Sequence, residues 1–104
     1  MESVDKIKMH QQLCSELNEI YAKKNHDYGD SFGESFKEWG ILAAMVRMSD
    51  KWNRLKTLIR LSEDNRKVQD EKITDTILDL CNYLLMTHME LILQRKEKRN
   101  NGED

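Results

Sequence analysis

The stretch EKITDTILDLCNYLLMTHMELILQRKE, residues 71–97, decides the fold. Ile73, Ile77, Leu80, Cys81, Leu84, His88 and Leu91 fall into one stripe when the chain is wound as an α-helix, and no alternating pattern competes with that reading. Neither glycine nor proline interrupts the run, and proline is absent from the whole chain. A helix over 71–97 is predicted, with Asp70 placed to cap it. Its segment LLMTHMELIL, residues 84–93, is apolar almost all round, which is the mark of a helix covered on two sides. In a chain of 104 residues that condition is met most simply by an oligomer with this helix at its centre.

Upstream, SEDNRKVQD (62–70) reads as an exposed connection, because turn-forming polar residues surround a single apolar one. Before it, Ile41, Met45, Met48, Trp52, Leu55 and Ile59 fall within about 60° of one another on a helical wheel, so a second amphipathic helix is predicted over about 41–61. Three of the four glycines, Gly29, Gly33 and Gly40, cluster before that helix and mark an irregular region over 25–40 with a short turn at 35–39. Leu13, Cys14, Leu17, Ile20, Tyr21 and Lys24 place a first helix over about 4–24. The charged end, about 98–104, is expected to fray. The expected fold class is therefore all-α: a single domain over 1–104, an antiparallel bundle of three main helices with a glycine-containing loop between the first two, completed by oligomerisation.

Composition narrows the functional classes. With 17 Lys+Arg against 19 Asp+Glu the net charge is −2, so nothing draws the chain as a whole to nucleic-acid phosphates. No run approaches the roughly 20 apolar residues of a membrane span, and MESVDKIKMH lacks the apolar stretch of a signal peptide. A cytoplasmic protein without membrane contact is expected. Cys14 and Cys81 sit in separate helical patterns and are expected as buried thiols, while His10, His26 and His88 have no metal-binding spacing.

The charges that remain are not scattered. On the third helix Glu71, Asn82, Asp75 and Asp79 lie within about 80° of one another, and Met86, Met89 and Leu93 continue the same sector. Acids that run into an apolar strip lose solvation and repel, so they need a cation or basic partners. On the second helix Arg47, Asp50, Lys51 and Arg54 lie off the apolar stripe. They are open to two readings. Asp50 and Arg54 suit an i, i+4 ion pair worth a few tenths of about 1 kcal/mol. Alternatively, Asp50 joins Asp75 and Asp79 as a metal ligand while Arg47, Lys51 and Arg54 meet phosphate oxygens. The loop Lys23 to Phe32 is equally two-sided. Gly29, Asp27 and Asp30 suit a turn anchored by Tyr28 and Phe32, and Lys24, Asp27 and Tyr28 also suit a nucleotide.

Three ordered motifs, Lys24-Asn25-His26-Asp27-Tyr28-Gly29-Asp30-Ser31, Arg47 to Leu55 and Asp75 to Tyr83, resemble the nucleotide-modification-associated family of small phage and bacterial proteins. That family is commonly grouped with the MazG-like all-α nucleotide pyrophosphatases, and the resemblance covers about residues 13–90. It implies an oligomeric helical bundle, dimer or tetramer, in which Asp50, Asp75 and Asp79 hold Mg²⁺ and a nucleoside triphosphate is hydrolysed to monophosphate and pyrophosphate. Lys24, Arg47, Lys51 and Arg54 would meet the phosphates, with Asp27 beside them, Tyr28 stacked on a base and Asn82 on its edge. The broader group carries an ExxE on one helix and an ExxD on the next. Here those positions read Arg47 to Asp50 and Thr76 to Asp79, while Glu16 and Glu19 stand on the first helix. This departure motivates an alternative of a different class: a nucleotide-binding protein without turnover, which sequesters or senses a nucleotide signal, as in a phage anti-defence protein. A helical interaction protein whose charges serve only solubility is the third reading.

Overall fold

A computed structural model describes residues 3–61 and 66–102, with residues 66–69 described by their backbone alone. Four helices follow one another: α1 (Lys6–Tyr28), α2 (Ser31–Trp39), α3 (Ile41–Arg60) and α4 (Arg66–Asn100). No strand occurs among the described residues, so the fold is all-α as the periodicity predicts. The chain divides into two compact units, one up to Asp30 and the other from Ser31 onward.

The irregular region expected over 25–40 contracts to two glycine-centred breaks. Gly29 has φ 71° and ψ −165°, and its N–H donates to the Asn25 carbonyl at 2.8 Å. Gly40 repeats the device with φ 73° and ψ −163°, its N–H donating to the Phe36 carbonyl at 2.7 Å. This corner of backbone space is essentially closed to residues with a Cβ. Each glycine therefore ends one helix and lets the next begin within a residue or two. The short turn expected at 35–39 is a nine-residue helix, α2.

The first unit is α1. Asp5 caps it, its Oδ1 accepting from the Lys8 N–H at 3.2 Å. None of its residues is buried; Leu17, Ile20, Tyr21 and Asn25 are half-buried. Cys14, expected inside, is exposed, with its Sγ 3.7 Å from His10 Nδ1 one turn earlier. Cys81 on α4 is half-buried, and both thiols are free.

In the second unit α3 packs along α4, and α2 packs on both. Phe32, Phe36 and Ala44 form the core, with Met48, Tyr83, Met86 and Leu91 against it. Phe32 packs tilted against Phe36 and Tyr83, with ring centroids 6.4 and 5.9 Å apart. Leu55 and Leu58 are also buried, further along α3. Lys51 meets Asp79 and Met48 meets Thr87, so residue numbers rise along α3 as they fall along α4.

Two expectations for α4 are corrected. The helix starts at Arg66, which puts Asp70 inside it rather than at its cap, and it runs to Asn100. Residues 66–72 hold good helix formers and no breaker, which carries the helix back a turn. Of the predicted connection, 62–65 lies outside the described residues.

The second correction concerns which face points inward. The buried positions of α4 are Thr76, Asn82, Thr87 and Glu90, whereas Ile77, Leu84 and His88 of the expected core stripe are exposed. The threonines can be buried because each bonds back one turn: Thr76 Oγ1 donates to the Lys72 carbonyl and Thr87 Oγ1 to the Tyr83 carbonyl, both at 2.7 Å. The face of α4 turned toward α2 and α3 thus mixes these polar residues with Tyr83, Met86 and Leu91, while Ile77, Leu84, Leu85 and Ile92 remain uncovered. By length and composition α4 qualifies as a membrane span, a description that the central helix of a bundle also meets.

Candidate functional site

Arg47 is set one turn into the second half of the α2–α3 corner. Its half-buried side chain places the guanidinium carbon 5.9 Å from the centre of the Phe32 ring, and one terminal nitrogen donates to Ser35 Oγ at 3.4 Å. Both partners come from α2, where Phe32 and Ser35 are three residues apart and therefore share a face. A cation over an aromatic face and a single hydroxyl bond hold the guanidinium in place, yet they leave most of its five donors unused. Among the described residues no carboxylate pairs with it.

Lys51 lies one turn further along α3. Its Nζ stands 3.0 Å from Asp79 Oδ2 on α4, with the two side chains only 28% and 24% exposed. One acid of the third predicted helix, Asp79, therefore has a basic partner. Arg54 continues the row, exposed to solvent. From Arg47 through Lys51 to Arg54 the cations rise by four and then three residues, which spans about 10 Å of helix axis on one side. The alternative pairing of Asp50 with Arg54 is not formed: both are exposed and neither has an ion-pair partner among the described residues.

On α4, Asp75 is exposed one turn before Asp79, and Asn82 is buried. An open pocket of about 410 Å³ is lined by Asp70, Glu71, Thr74 and Asp75, away from Asp79. A resident site built from Asp50, Asp75 and Asp79 together would need their oxygens converging on one point, although Mg²⁺ beside a nucleotide is held by as few as one or two carboxylates with waters and phosphates. Among the described residues no group of three or more His, Cys, Asp or Glu side chains stands together in that way. Among the described residues Asp50, Asp75 and Asp79 therefore do not form the three-carboxylate Mg²⁺ site that the resemblance implies.

Lys24, Asp27 and Tyr28 belong to the other unit. They lie in the last turn and a half of α1, where i, i+3, i+4 spacing puts them on one side of a helix instead of in a loop. Asp27 Oδ1 is 3.3 Å from Nδ1 of its neighbour His26, and Tyr28 is 77% exposed. A cation, a carboxylate and an open ring thus share one face of α1.

Phe32 and Ser35 escape the sequence reading as site residues. The signal available for them is their i, i+3 spacing with Phe36 at i+4, which was masked by the glycines on either side. Tyr83, against Phe32, extends the same aromatic wall from α4.

No curated protein and no solved structure matches the chain. Residues 24–91 match the family described as Nucleotide modification associated domain 1. The match starts at Lys24, spans the whole cation row and ends one residue after Glu90, so it encloses every candidate residue named above. The chain belongs to the Nucleotide modification associated domain 1 family.

Proposed function

We propose that this protein binds a nucleotide through the cation row of α3. The observation that carries this reading is Arg47: a half-buried guanidinium, oriented by Phe32 and Ser35, with no carboxylate among the described residues to neutralise it. A planar fork of donors fixed in that manner suits phosphate oxygens, which it engages bidentately. Lys51 and Arg54 extend the positive row along the same side of α3. The family's description, which concerns nucleotides, supports the same class of ligand.

The Mg²⁺-dependent, MazG-like pyrophosphohydrolase is the competing reading. The exposed acids Asp70, Glu71 and Asp75 around one pocket are what favours it. Calorimetric titration with a panel of ribo- and deoxyribonucleoside triphosphates, followed by analysis of the recovered ligand, separates the two. Saturable binding with intact triphosphate recovered is expected. Release of pyrophosphate that depends on Mg²⁺ would establish the hydrolase, and binding of no nucleotide would reject both.

We also propose a homo-oligomer, dimer or tetramer, built on the uncovered apolar side of α4. Ile77, Leu84, Leu85 and Ile92 are exposed there, beside Ile41, Met45, Trp52 and Ile59 on α3. So many large apolar side chains on a 104-residue chain exceed what a monomer ordinarily leaves in water.

A further inference from the structure

We propose, resting on the nucleotide-binding reading, that the α3 row takes phosphate as a metal-free anion, with Lys51 standing beside Asp79 in the place a divalent ion would need. The juxtaposition is direct: Lys51 Nζ is 3.0 Å from Asp79 Oδ2, and both side chains are about three-quarters shielded from water. A Mg²⁺ ion on that oxygen would sit at about 2.0–2.1 Å and demand a nearly ideal octahedron of further oxygens. The ammonium already occupies the approach to the carboxylate. Two cations forced together where water screens them poorly repel strongly, so a metal at Asp79 has to expel Lys51 first. Asp50 and Asp75 are exposed to solvent, and among the described residues they do not converge with Asp79 into a trio of donors.

Arg47 supplies what an imported ion would otherwise bring. It is one turn from Lys51 on α3, it is fixed from two directions by α2, and it carries a positive charge that no carboxylate among the described residues cancels. Asp79 then has a different part from the one the resemblance implies. It is a positioning residue, holding the Lys51 ammonium at the α3–α4 seam so that the cation row is ordered before an anion arrives. Phosphate charge is met by side chains that are already in place, with no ion to be recruited.

The full chain is titrated calorimetrically with inorganic pyrophosphate, ATP, GTP, CTP and UTP and their deoxy counterparts, once in EDTA and once in excess Mg²⁺. Affinity in EDTA within about threefold of that in Mg²⁺ is expected for any ligand that binds, a difference well under the tenfold step of about 1.4 kcal/mol. Binding that appears only with Mg²⁺ would overturn the proposal. A second arm follows Mn²⁺ by electron paramagnetic resonance on the nucleotide-free chain. No saturable micromolar site is expected, and finding one that disappears in Asp79→Asn would overturn the proposal whatever the nucleotides do. Absence of nucleotide binding in both buffers would reject the nucleotide reading itself, and the Mn²⁺ result would still decide whether Lys51 or a metal holds Asp79.

Discussion

Arg47 and Phe36 sit a short distance apart in sequence and answer to different physics. Arg47 is half-buried, with a guanidinium that is held by one hydroxyl and one ring. Arg47→Met keeps the stem and removes the charge. Stability, followed by thermal denaturation, is expected to change by less than about 1 kcal/mol, while nucleotide affinity falls by about tenfold or more, the worth of a charge-assisted hydrogen bond. Unchanged affinity in a folded Arg47→Met protein would remove the main support for the binding site. Phe36 is the reverse case. It is 1% exposed and central to the core, so Phe36→Ala is expected to cost about 3–5 kcal/mol in denaturant titration, a large fraction of the stability of a small domain.

At the scale of elements, the two glycine breaks govern the path of the chain. A Cβ built on Gly40 meets nothing within 4 Å, so any penalty of Gly40→Ala is purely one of backbone conformation. The expected loss is about 1–3 kcal/mol, visible as a lower urea midpoint with an unaltered slope. An unchanged midpoint would mean that α2 and α3 can meet at another angle. The helices themselves were legible, because apolar spacing in 41–61 and 71–97 and the absence of proline leave little else for the chain to do. The inward face of α4 was not. A stripe such as Ile73, Ile77, Leu80 and Leu84 announces that something covers it, and periodicity is silent on whether the cover lies in the same chain. The acids left two partners open, a cation or basic side chains, and at Asp79 the structure shows Lys51. The fixing of Arg47 was beyond reach for a plain reason. It depends on α2 being a helix from Ser31, and glycines at 29, 33 and 40 suggest loop instead.

At the scale of the molecule, the balanced charge becomes organised rather than diffuse. Lys51 and Asp79 cancel at the α3–α4 seam, and Arg47 keeps its charge for a ligand. The uncovered residues Ile77, Leu84, Leu85 and Ile92 set the expected assembly. Light scattering at micromolar concentration should give a mass that is a multiple of 12.4 kDa, and Leu84→Glu should return it to the monomer value; a wild-type monomer would refute the assembly. The two-faced character of α4 also carries a consequence for kinetics. Its inward side meets α3, the helix that precedes it in the chain, and helical folds of such simple connectivity form within microseconds to milliseconds. In the proposed oligomer its apolar side waits for an encounter between separate chains. Refolding should accordingly proceed in two steps, a rapid one indifferent to protein concentration and a later one whose rate rises with it, and the interval between them is when the chain is most exposed to aggregation.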